Sequence, residues 1–299
     1  MLTRPDVILI AGPTASGKSK LAVKLALQHG GVVVNADSMQ IYPVLDVLTA
    51  RPAAADLATV PHALYGTAPV HASWSVARWF DDAKTVLDRT IASGQTVVFV
   101  GGTGLYFKAL DEGLAEVPQI DPDVRTKVRA DLVAHGAAAL FEQLAAEDRD
   151  MAAVLRQTDG QRISRALEVV RSTGKSLKHF QDAPLKDSVL AGLNVQRYLL
   201  MPDRPLLHER INKRTHLMMA NGAAQEVAAL TALDLPPEAT VLKAIGVKDL
   251  ALYNDGAVPV ETAIERIQAL TRQYAKRQST WFRGQFGKDW EIITSTNSI

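Results

Sequence analysis

The segment from Gly12 to Ser19 reads G-P-T-A-S-G-K-S and matches the phosphate-loop pattern G-x-x-x-x-G-K-[ST]. Glycines at positions 12 and 17 allow tight turns and close approach of a ligand. Backbone N–H groups at the start of a following helix would point at a diphosphate. Lys18 would add a point charge, and the Ser19 hydroxyl could bind Mg²⁺. The pattern indicates a ligand with linked phosphates, which a nucleotide or another diphosphate would supply.

Asp37 follows a second short apolar run. In an open α/β sheet, ligands bind outside the carboxyl ends of the strands, which would place Asp37 beside the phosphate loop. It would act there as a general base or a Mg²⁺ partner. Alternatively, it caps a helix that starts near Ser38. Ser38, Met39 and Gln40 offer contacts suited to a planar base.

A generic kinase or NTPase needs further residues. It normally carries an aspartate at the end of another strand to hold Mg²⁺, whereas the best such strand, 96–100, ends in Gly-Gly-Thr-Gly. A GTPase also needs Asn-Lys-x-Asp, but Asn212-Lys213 is followed by Arg214 and Thr215. These features disfavour a generic kinase or NTPase, which stays open as an alternative.

Two stretches of the chain are basic. Six basic residues and no acidic residue lie between Arg266 and Lys288, and aromatic residues are interleaved with them. Arg272 and Lys276 are four residues apart and share a helix face. A second basic stretch, from Arg162 to Lys178, is interrupted by Glu168. Each stretch fits either RNA phosphate contact or an ordinary solvated helix face.

The elements that would position these residues alternate between strands and helices. Apolar runs predict strands at 7–11, 31–34, 96–100 and 197–201, and helical spacing predicts helices at 18–29 and 75–93. We therefore expect an α/β fold with a P-loop NTPase-like parallel sheet flanked by helices. Residues 117–189 carry few strand signals and read as an inserted helical domain in a core formed by 1–116 and 190–299, whose last part is helical.

The bulk composition is that of a globular protein with a sizeable core. The 299 residues are 47% hydrophobic and 22% charged, with 33 Lys and Arg against 32 Asp and Glu. The overall charge therefore predicts no polyanionic partner. The chain has no cysteine, which fits a reducing, cytoplasmic location. No apolar run is long enough to span a bilayer, so we expect no membrane association.

Five segments together resemble one family. In chain order they are GPTASGKS, NADSMQIYPVLDVLTARP, GGTGLYFKAL, QRISRALEV with STGKSL, and TRQYAKRQSTWFRG. They are similar to those of the tRNA dimethylallyltransferases, over nearly the whole chain. The resemblance implies transfer of the dimethylallyl group of dimethylallyl diphosphate to N6 of the adenosine adjacent to the anticodon in tRNA, with Mg²⁺ as cofactor. It implies no protein partner.

The resemblance also implies roles for individual residues. Asp37 would be the general base, with Thr103 near the reacting centre and Arg214 on the diphosphate. The diphosphate would be bound by Gly12, Pro13, Thr14, Ala15, Ser16, Gly17, Lys18 and Ser19, and Ser19 would hold the metal. The tRNA would contact Asp37, Ser38, Met39, Gln40, Thr103, Arg125, Gln161, Arg162, Ile163, Ser164, Arg165, Lys243 and Lys248, and the basic residues Arg272 and Lys276. The helical insertion would act as a tRNA-binding arm.

The chain departs from the family pattern in two places. Leu48 to Pro52 reads LTARP where the family often has GTAKP, and Val247 follows Gly246 where the family often has Tyr. Both departures are expected to lie outside the core chemistry. Three alternatives stay open: transfer to a free adenine nucleotide, a P-loop kinase or NTPase, and an RNA-binding module without activity.

Overall fold

Six parallel strands form one sheet in the computed structural model, which describes residues 4–71, 74–183, 188–237 and 239–295. The strands are β1 (Val7–Ala11), β2 (Val32–Asn35), β3 (His62–Ala63), β4 (Val97–Gly101), β5 (Val195–Leu200) and β6 (Glu291–Ile293). Their order across the sheet is β3-β2-β4-β1-β5-β6. The parallel α/β sheet that the sequence predicts is confirmed.

Helices cover both faces of the sheet and account for most of the remaining chain. They are α1 (Lys18–His29), α2 (Asp46–Thr49), α3 (Ala54–Thr59), α4 (Val76–Ala92), α5 (Gly104–Glu112), α6 (Pro122–Glu147), α7 (Arg149–Ala152), α8 (Gly160–Thr173), α9 (Leu177–Gln181), α10 (Arg204–Ala220), α11 (Ala223–Thr231), α12 (Val247–Asn254) and α13 (Val260–Gln285). A short 3₁₀ turn covers Thr240–Lys243. In the described part of the chain, no helix is long and apolar enough to cross a membrane.

The central strands are apolar on both faces because each face is covered. β1 is completely buried. On one face, Ile8 and Ile10 pack with Leu21 and Leu25 of α1. Side chains on the opposite face belong to the larger core cluster, which includes Trp79 of α4. A buried parallel strand reads as a continuous apolar run, and this explains why the sequence signal for β1 is strong.

The chain divides into two compact units. One unit consists of residues up to Asp111 together with those from Ser188 onward, and it contains the whole sheet. The other runs from Glu112 to Asp187, where the sequence leads us to expect a helical insertion at 117–189. Residues 1–3, 72–73, 184–187, 238 and 296–299 of the predicted segments lie outside the described residues.

The second unit is helical and has a core of its own. Leu140, Leu144, Ile163 and Leu167 are among the side chains buried in it. Within α6, Gly136 has φ 78° and ψ 175°, so the element consists of two helices separated by one extended residue. A glycine takes this positive φ without a steric penalty.

Candidate active site

Three predicted segments meet at one edge of the sheet. Gly12 follows β1, Asp37 lies two residues past β2, and Thr103 lies two residues past β4. Ala11 is level with Gly101 in the β1–β4 register. The strand order also reverses here, because β1 neighbours both β4 and β5. Open α/β sheets bind their ligands at such a switch point.

A cavity of about 270 Å³ lies at this edge. It is lined by Thr14, Ala15, Gly17, Lys18, Ser19, Lys20, Asp37, Gln40, Thr49, Ala50, Arg210 and Arg214. Four of these residues are cationic and one is a carboxylate, so the lining has an excess of three positive charges. Such a lining suits a compact polyanion.

The backbone of the phosphate loop is shaped for an anion. Ala15 and Gly17 both have positive φ, at 63° and 96°. Left-handed residues within such a loop turn backbone N–H groups into a concave anion site. α1 then starts at Lys18, and the N–H groups of its first turn have no partner within the helix. These groups add a partial positive charge at the cavity.

Two arginines of α10 hold the phosphate loop. Arg214 Nη2 donates to Thr14 Oγ1 at 2.8 Å, and Arg210 Nη1 donates to the carbonyl of Ser16 at 3.1 Å. The two arginines are four residues apart and share one face of the helix. The sequence singles out Arg214 but not Arg210, because only the folded chain brings α10 to the loop.

The cationic groups at the cavity are partly desolvated. Lys18 Nζ donates to the carbonyl of Pro13 at 3.3 Å. Burial lowers the pKa of Lys18 from 10.5 to about 8, with a smaller lowering from Arg214, while Asp37 opposes both. Burial also lowers the pKa of Arg214, again opposed by Asp37. An anionic ligand would stabilise the charged forms of both side chains.

Asp37 lies in a tight turn that fixes its carboxylate. Asn35 Oδ1 accepts the backbone N–H of Asp37 at 2.9 Å, and Asp37 Oδ1 accepts that of Met39 at 2.9 Å. Side chains of Asn and Asp favour such turns. In the described chain the next helix after β2 begins only at Asp46. The helix-capping interpretation of Asp37 is therefore wrong, and its carboxyl group lines the cavity.

Thr103 connects the ends of β2 and β4. Its Oγ1 accepts the backbone N–H of Ser38 at 3.0 Å, and its own N–H donates to the carbonyl of Ala36 at 3.2 Å. Gly101 is required beside it, because a Cβ there would lie 1.9 Å from that carbonyl oxygen. Thr103 does not line the cavity described above. It fixes the strand ends from which Asp37 and Ser38 project.

Gln40 brings an unpredicted segment to the cavity. Its Nε2 donates to the carbonyls of Thr49 and Ala50, at 2.9 Å each. Both residues line the cavity, although the sequence places the segment from Leu48 to Pro52 outside the core chemistry. The departure from the family pattern at Leu48 therefore lies next to the site.

Three tyrosines stay protonated near Asp37. Burial, followed by the negative charge of Asp37, raises the pKa of Tyr65, Tyr106 and Tyr274 above its usual value. Their phenol groups are therefore neutral hydrogen-bonding groups at ordinary pH. No change of charge near neutral pH is expected from them.

The remaining predicted contacts of the first unit lie on helices away from the cavity lining. Lys243, Lys248 and Lys276 are exposed. Arg272 Nη1 donates to Asn212 Oδ1 at 2.8 Å, so this side chain is partly committed to α10. Phe282 of α13 is fully buried.

In the second unit, the predicted segment 161–165 is only partly available. Gln161 and Arg162 are exposed, and Arg162 pairs with Asp159. Ile163 and Ser164 are buried in the core of the unit. Their alternation with exposed residues follows from the helical period of α8. Their side chains are therefore not on the surface of this unit, and the contact of this segment with tRNA stays a prediction.

Glu168, the acidic residue within the second basic stretch, lies among three arginine side chains. Its carboxylate is buried and has three guanidinium groups around it. The distances are 3.9 Å from Arg125 Nε, 3.4 Å from Arg129 Nε and 3.6 Å from Arg165 Nη1. We call Arg125, Arg129 and Arg165 the arginine cluster; with Glu168 it carries a net charge of +2.

Two further cations of the second basic stretch are neutralised. Arg171 Nη2 lies 2.6 Å from Glu147 Oε1, and its Nε donates to the same carboxylate. Lys178 Nζ lies 2.9 Å from Asp182 Oδ2. Within α8, the excess positive charge of this stretch is therefore carried by the arginine cluster. Arg129 belongs to it through α6, which the linear pattern does not reveal.

Comparison with known proteins assigns the family. Residues 40–285 match the family model described as IPP transferase. The chain belongs to the IPP transferase family. A tRNA dimethylallyltransferase of Agrobacterium fabrum is 50% identical to this IPP transferase over 288 residues, which are 96% of each chain. One of Rhizobium meliloti is 47% identical over 296 residues, 98% of this chain and 97% of that one.

Solved structures agree with this assignment. The tRNA isopentenylpyrophosphate transferase of Bacillus halodurans matches with a TM-score of 0.67 and 32% identity, over 97% of this chain and 89% of that chain. A eukaryotic dimethylallyltransferase acting on tRNA matches with a TM-score of 0.81 and 25% identity, over 98% and 74%. This IPP transferase thus has the expected P-loop NTPase-like fold.

Proposed function

We propose that this IPP transferase moves the dimethylallyl group of dimethylallyl diphosphate to N6 of the adenosine adjacent to the anticodon in tRNA. The products are N6-isopentenyladenosine and diphosphate. The observation that carries the proposal is the cavity in which a cationic phosphate loop meets the carboxylate of Asp37. The family assignment and the names of the relatives support the same reaction.

The reaction is a substitution at C1 of the donor. The exocyclic nitrogen of adenine forms a bond to C1, and the bond between C1 and the diphosphate oxygen breaks with its electron pair on oxygen. This nitrogen is a weak nucleophile because its lone pair is delocalised into the ring. Asp37 accepts the proton that the nitrogen loses, a general-base contribution of about 10²–10⁴-fold.

The charge that develops on the leaving diphosphate is balanced by groups already in place. Lys18 and Arg214 line the cavity, together with Ala15 and Gly17 of the phosphate loop. Preorganised donors of this kind stabilise a developing anion without reorganising during the reaction. Arg210 adds a further cation at the same loop.

Magnesium fits this donor set as a partner of the diphosphate. Among the described residues there is no cluster of three or more His, Cys, Asp or Glu that would bind a metal ion by itself. The side chains lining the cavity include hard oxygen donors, among them the hydroxyl of Ser19 and the carboxylate of Asp37. Mg²⁺ typically binds through few protein oxygens, phosphates and water. When bound, it would neutralise charge on the leaving group.

The RNA would be bound by the loops at the cavity and by the exposed cations. Ser38, Met39 and Gln40 adjoin the cavity and would contact the adenine, which must leave the anticodon-loop stack to reach Asp37. Lys243, Lys248, Arg272 and Lys276 would contact phosphates, as would Gln161, Arg162 and the arginine cluster. The second unit would serve as the tRNA-binding arm.

Labelled dimethylallyl diphosphate distinguishes this reaction from its alternatives. The protein is incubated with the donor, Mg²⁺ and either unmodified tRNA or AMP, and the products are digested and identified by mass spectrometry. We expect label on one adenosine, adjacent to the anticodon. Label on AMP alone would assign a free nucleotide as acceptor, and ATP hydrolysis without transfer would assign an NTPase. RNA binding without either reaction would leave a binding module.

A further inference from the structure

Gln278 of α13 bridges the two glycine-rich turns of the site. The backbone N–H of Thr14 donates to its Oε1 at 2.9 Å, and its Nε2 donates to the carbonyl of Gly102 at 2.9 Å. Gln278 is buried. One amide thus joins the loop after β1 to the turn after β4, through both of its polar atoms.

The position of this amide is fixed by the loop on one side and by the turn on the other. A Cβ on Gly102 would lie 2.2 Å from Gln278 Nε2, so the turn has no room for a side chain while Gln278 is in place. On the loop, Thr14 is held by Gln278 through its N–H and by Arg214 through its hydroxyl. On the turn, the next residue is Thr103, which binds Ser38.

We propose that Gln278 is a positioning residue that fixes the phosphate loop relative to the turn that carries Thr103. Gln278 does not line the cavity, and both of its polar atoms already have partners. It therefore acts through Thr14 and Gly102. The distance between the leaving group and the turn that carries Thr103 depends on this amide. The inference rests on the proposed reaction and adds a residue that the family assignment does not identify.

This relative position matters because transfer needs the attacking nitrogen, C1 of the donor and the departing oxygen in line. A displacement of about 1 Å in such a geometry can cost about 100-fold in rate. Without the amide, the N–H of Thr14 and the carbonyl of Gly102 also lose their partners, and unpaired buried polar groups are costly. Both effects act first on the bound diphosphate.

The experiment is a double-mutant cycle between Gln278→Ala and Gly102→Ala. The measured quantities are kcat, KM for dimethylallyl diphosphate, KM for tRNA and the dissociation constant of inorganic diphosphate with Mg²⁺. We expect Q278A to lower kcat/KM for the donor by about 10- to 100-fold, the range seen when positioning partners of a bound ligand are removed. KM for tRNA should stay within about twofold of the wild type.

The second variant makes the prediction specific. The φ of Gly102 is not positive, so alanine there is strained only through its neighbours, chiefly Gln278. G102A should displace the amide and reproduce the effect of Q278A. The double variant has no such clash. Its kcat/KM for the donor should therefore fall by the same factor as in Q278A alone, and not by the product of the two single factors. The matched control is Gln268→Ala. Gln268 lies on the same helix, but its Nε2 donates to the carbonyl of Asn212.

The outcomes separate the inference from the proposed function. If the wild type neither binds diphosphate nor transfers the prenyl group, the proposed function fails. If the wild type is active and Q278A keeps its diphosphate affinity and kcat, the positioning role is wrong. Equal losses in both KM values together with a lowered unfolding midpoint would mean a purely structural role. Multiplicative losses in the double variant would also overturn the inference.

Discussion

At the scale of single residues, Asp37 is the group on which the chemistry depends. Replacing it by asparagine keeps an oxygen that can accept the N–H of Met39, so the turn should persist. The amide cannot take a proton from the substrate, and we expect kcat to fall by about 10²–10⁴-fold. Binding of tRNA should change little. Single-turnover transfer and filter-binding measurements check both parts.

The control for this variant is Asp56→Asn, which removes an exposed carboxylate from α3. It should behave as the wild type. If D37N also transfers at the wild-type rate, another group must accept the proton.

Lys18 should make donor binding depend on pH. Its pKa of about 8 in the free protein means that it is charged below pH 8 and neutral above it. A bound diphosphate favours the charged form, so binding takes up a proton between about pH 8 and the higher pKa of the complex. Affinity should be constant just below pH 8, while the donor phosphates stay ionised above their pKa of about 6, and it should weaken as the pH rises above 8. Calorimetry in buffers of different ionisation enthalpy measures this uptake.

Lys18→Arg is the informative comparison, because a guanidinium stays charged across this range. Its affinity should show no such step even where it is weaker overall. A step that persists in K18R would have to come from another group.

Sequence patterns identify some of the site residues and not others. The phosphate loop and Asp37 are found by motif and by their positions after strands. Arg210 is not, and neither is the role of Gln278, although Gln278 lies in the segment TRQYAKRQSTWFRG. Each reaches the loop only through the tertiary packing of α10 or α13, about 190 or more positions along the chain. A motif also does not reveal which face of a helix is buried, as Ile163 and Ser164 of α8 show.

At the scale of elements, α8 and α6 carry the arginine cluster, and Glu168 should keep it in place. Glu168→Gln leaves three guanidinium groups without their counter-charge. The loss of stability should be smaller than the about 3–5 kcal/mol of a fully buried pair, because the arginine side chains are 41–46% exposed and solvent screens them. We expect a lower unfolding midpoint and weaker tRNA binding.

Glu147→Gln is the matched control within the same unit. Glu147 pairs with Arg171, and hydrogen bonding to that arginine lowers the pKa of its carboxyl group. This pair is more exposed than Glu168, so its loss should cost little, and tRNA affinity should persist. If E168Q binds tRNA as tightly as E147Q, the arginine cluster has no role in RNA binding.

The elements themselves were predictable where burial is complete. β1 and β4 are apolar along their whole length, and α1 has the predicted bounds. β3 and β6 were missed because they are two and three residues long and form only by pairing with β2 and β5. Such short edge strands have no sequence period of their own.

At the scale of the whole molecule, charge is balanced, and RNA binding has to come from local surfaces. Affinity for tRNA should fall linearly with the logarithm of salt concentration, with a slope of about −0.7 to −0.9 per phosphate contacted. Lys276→Gln should reduce this slope by about one contact. Titrations at several salt concentrations measure it.

Lys84→Gln is the control, since Lys84 pairs with Asp88 on the exposed face of α4. Its slope should equal that of the wild type. A flat salt response of the wild type would mean that the basic stretches are ordinary surface.

The bridge made by Gln278 also has a consequence for biosynthesis. Thr14 and Gln278 are 264 positions apart, so the ribosome synthesises the phosphate loop long before it synthesises α13. A nascent chain therefore cannot hold its phosphate loop in the final arrangement until α13 has left the ribosome. A chain that terminates before α13 cannot form this bridge, however well its first strands have folded.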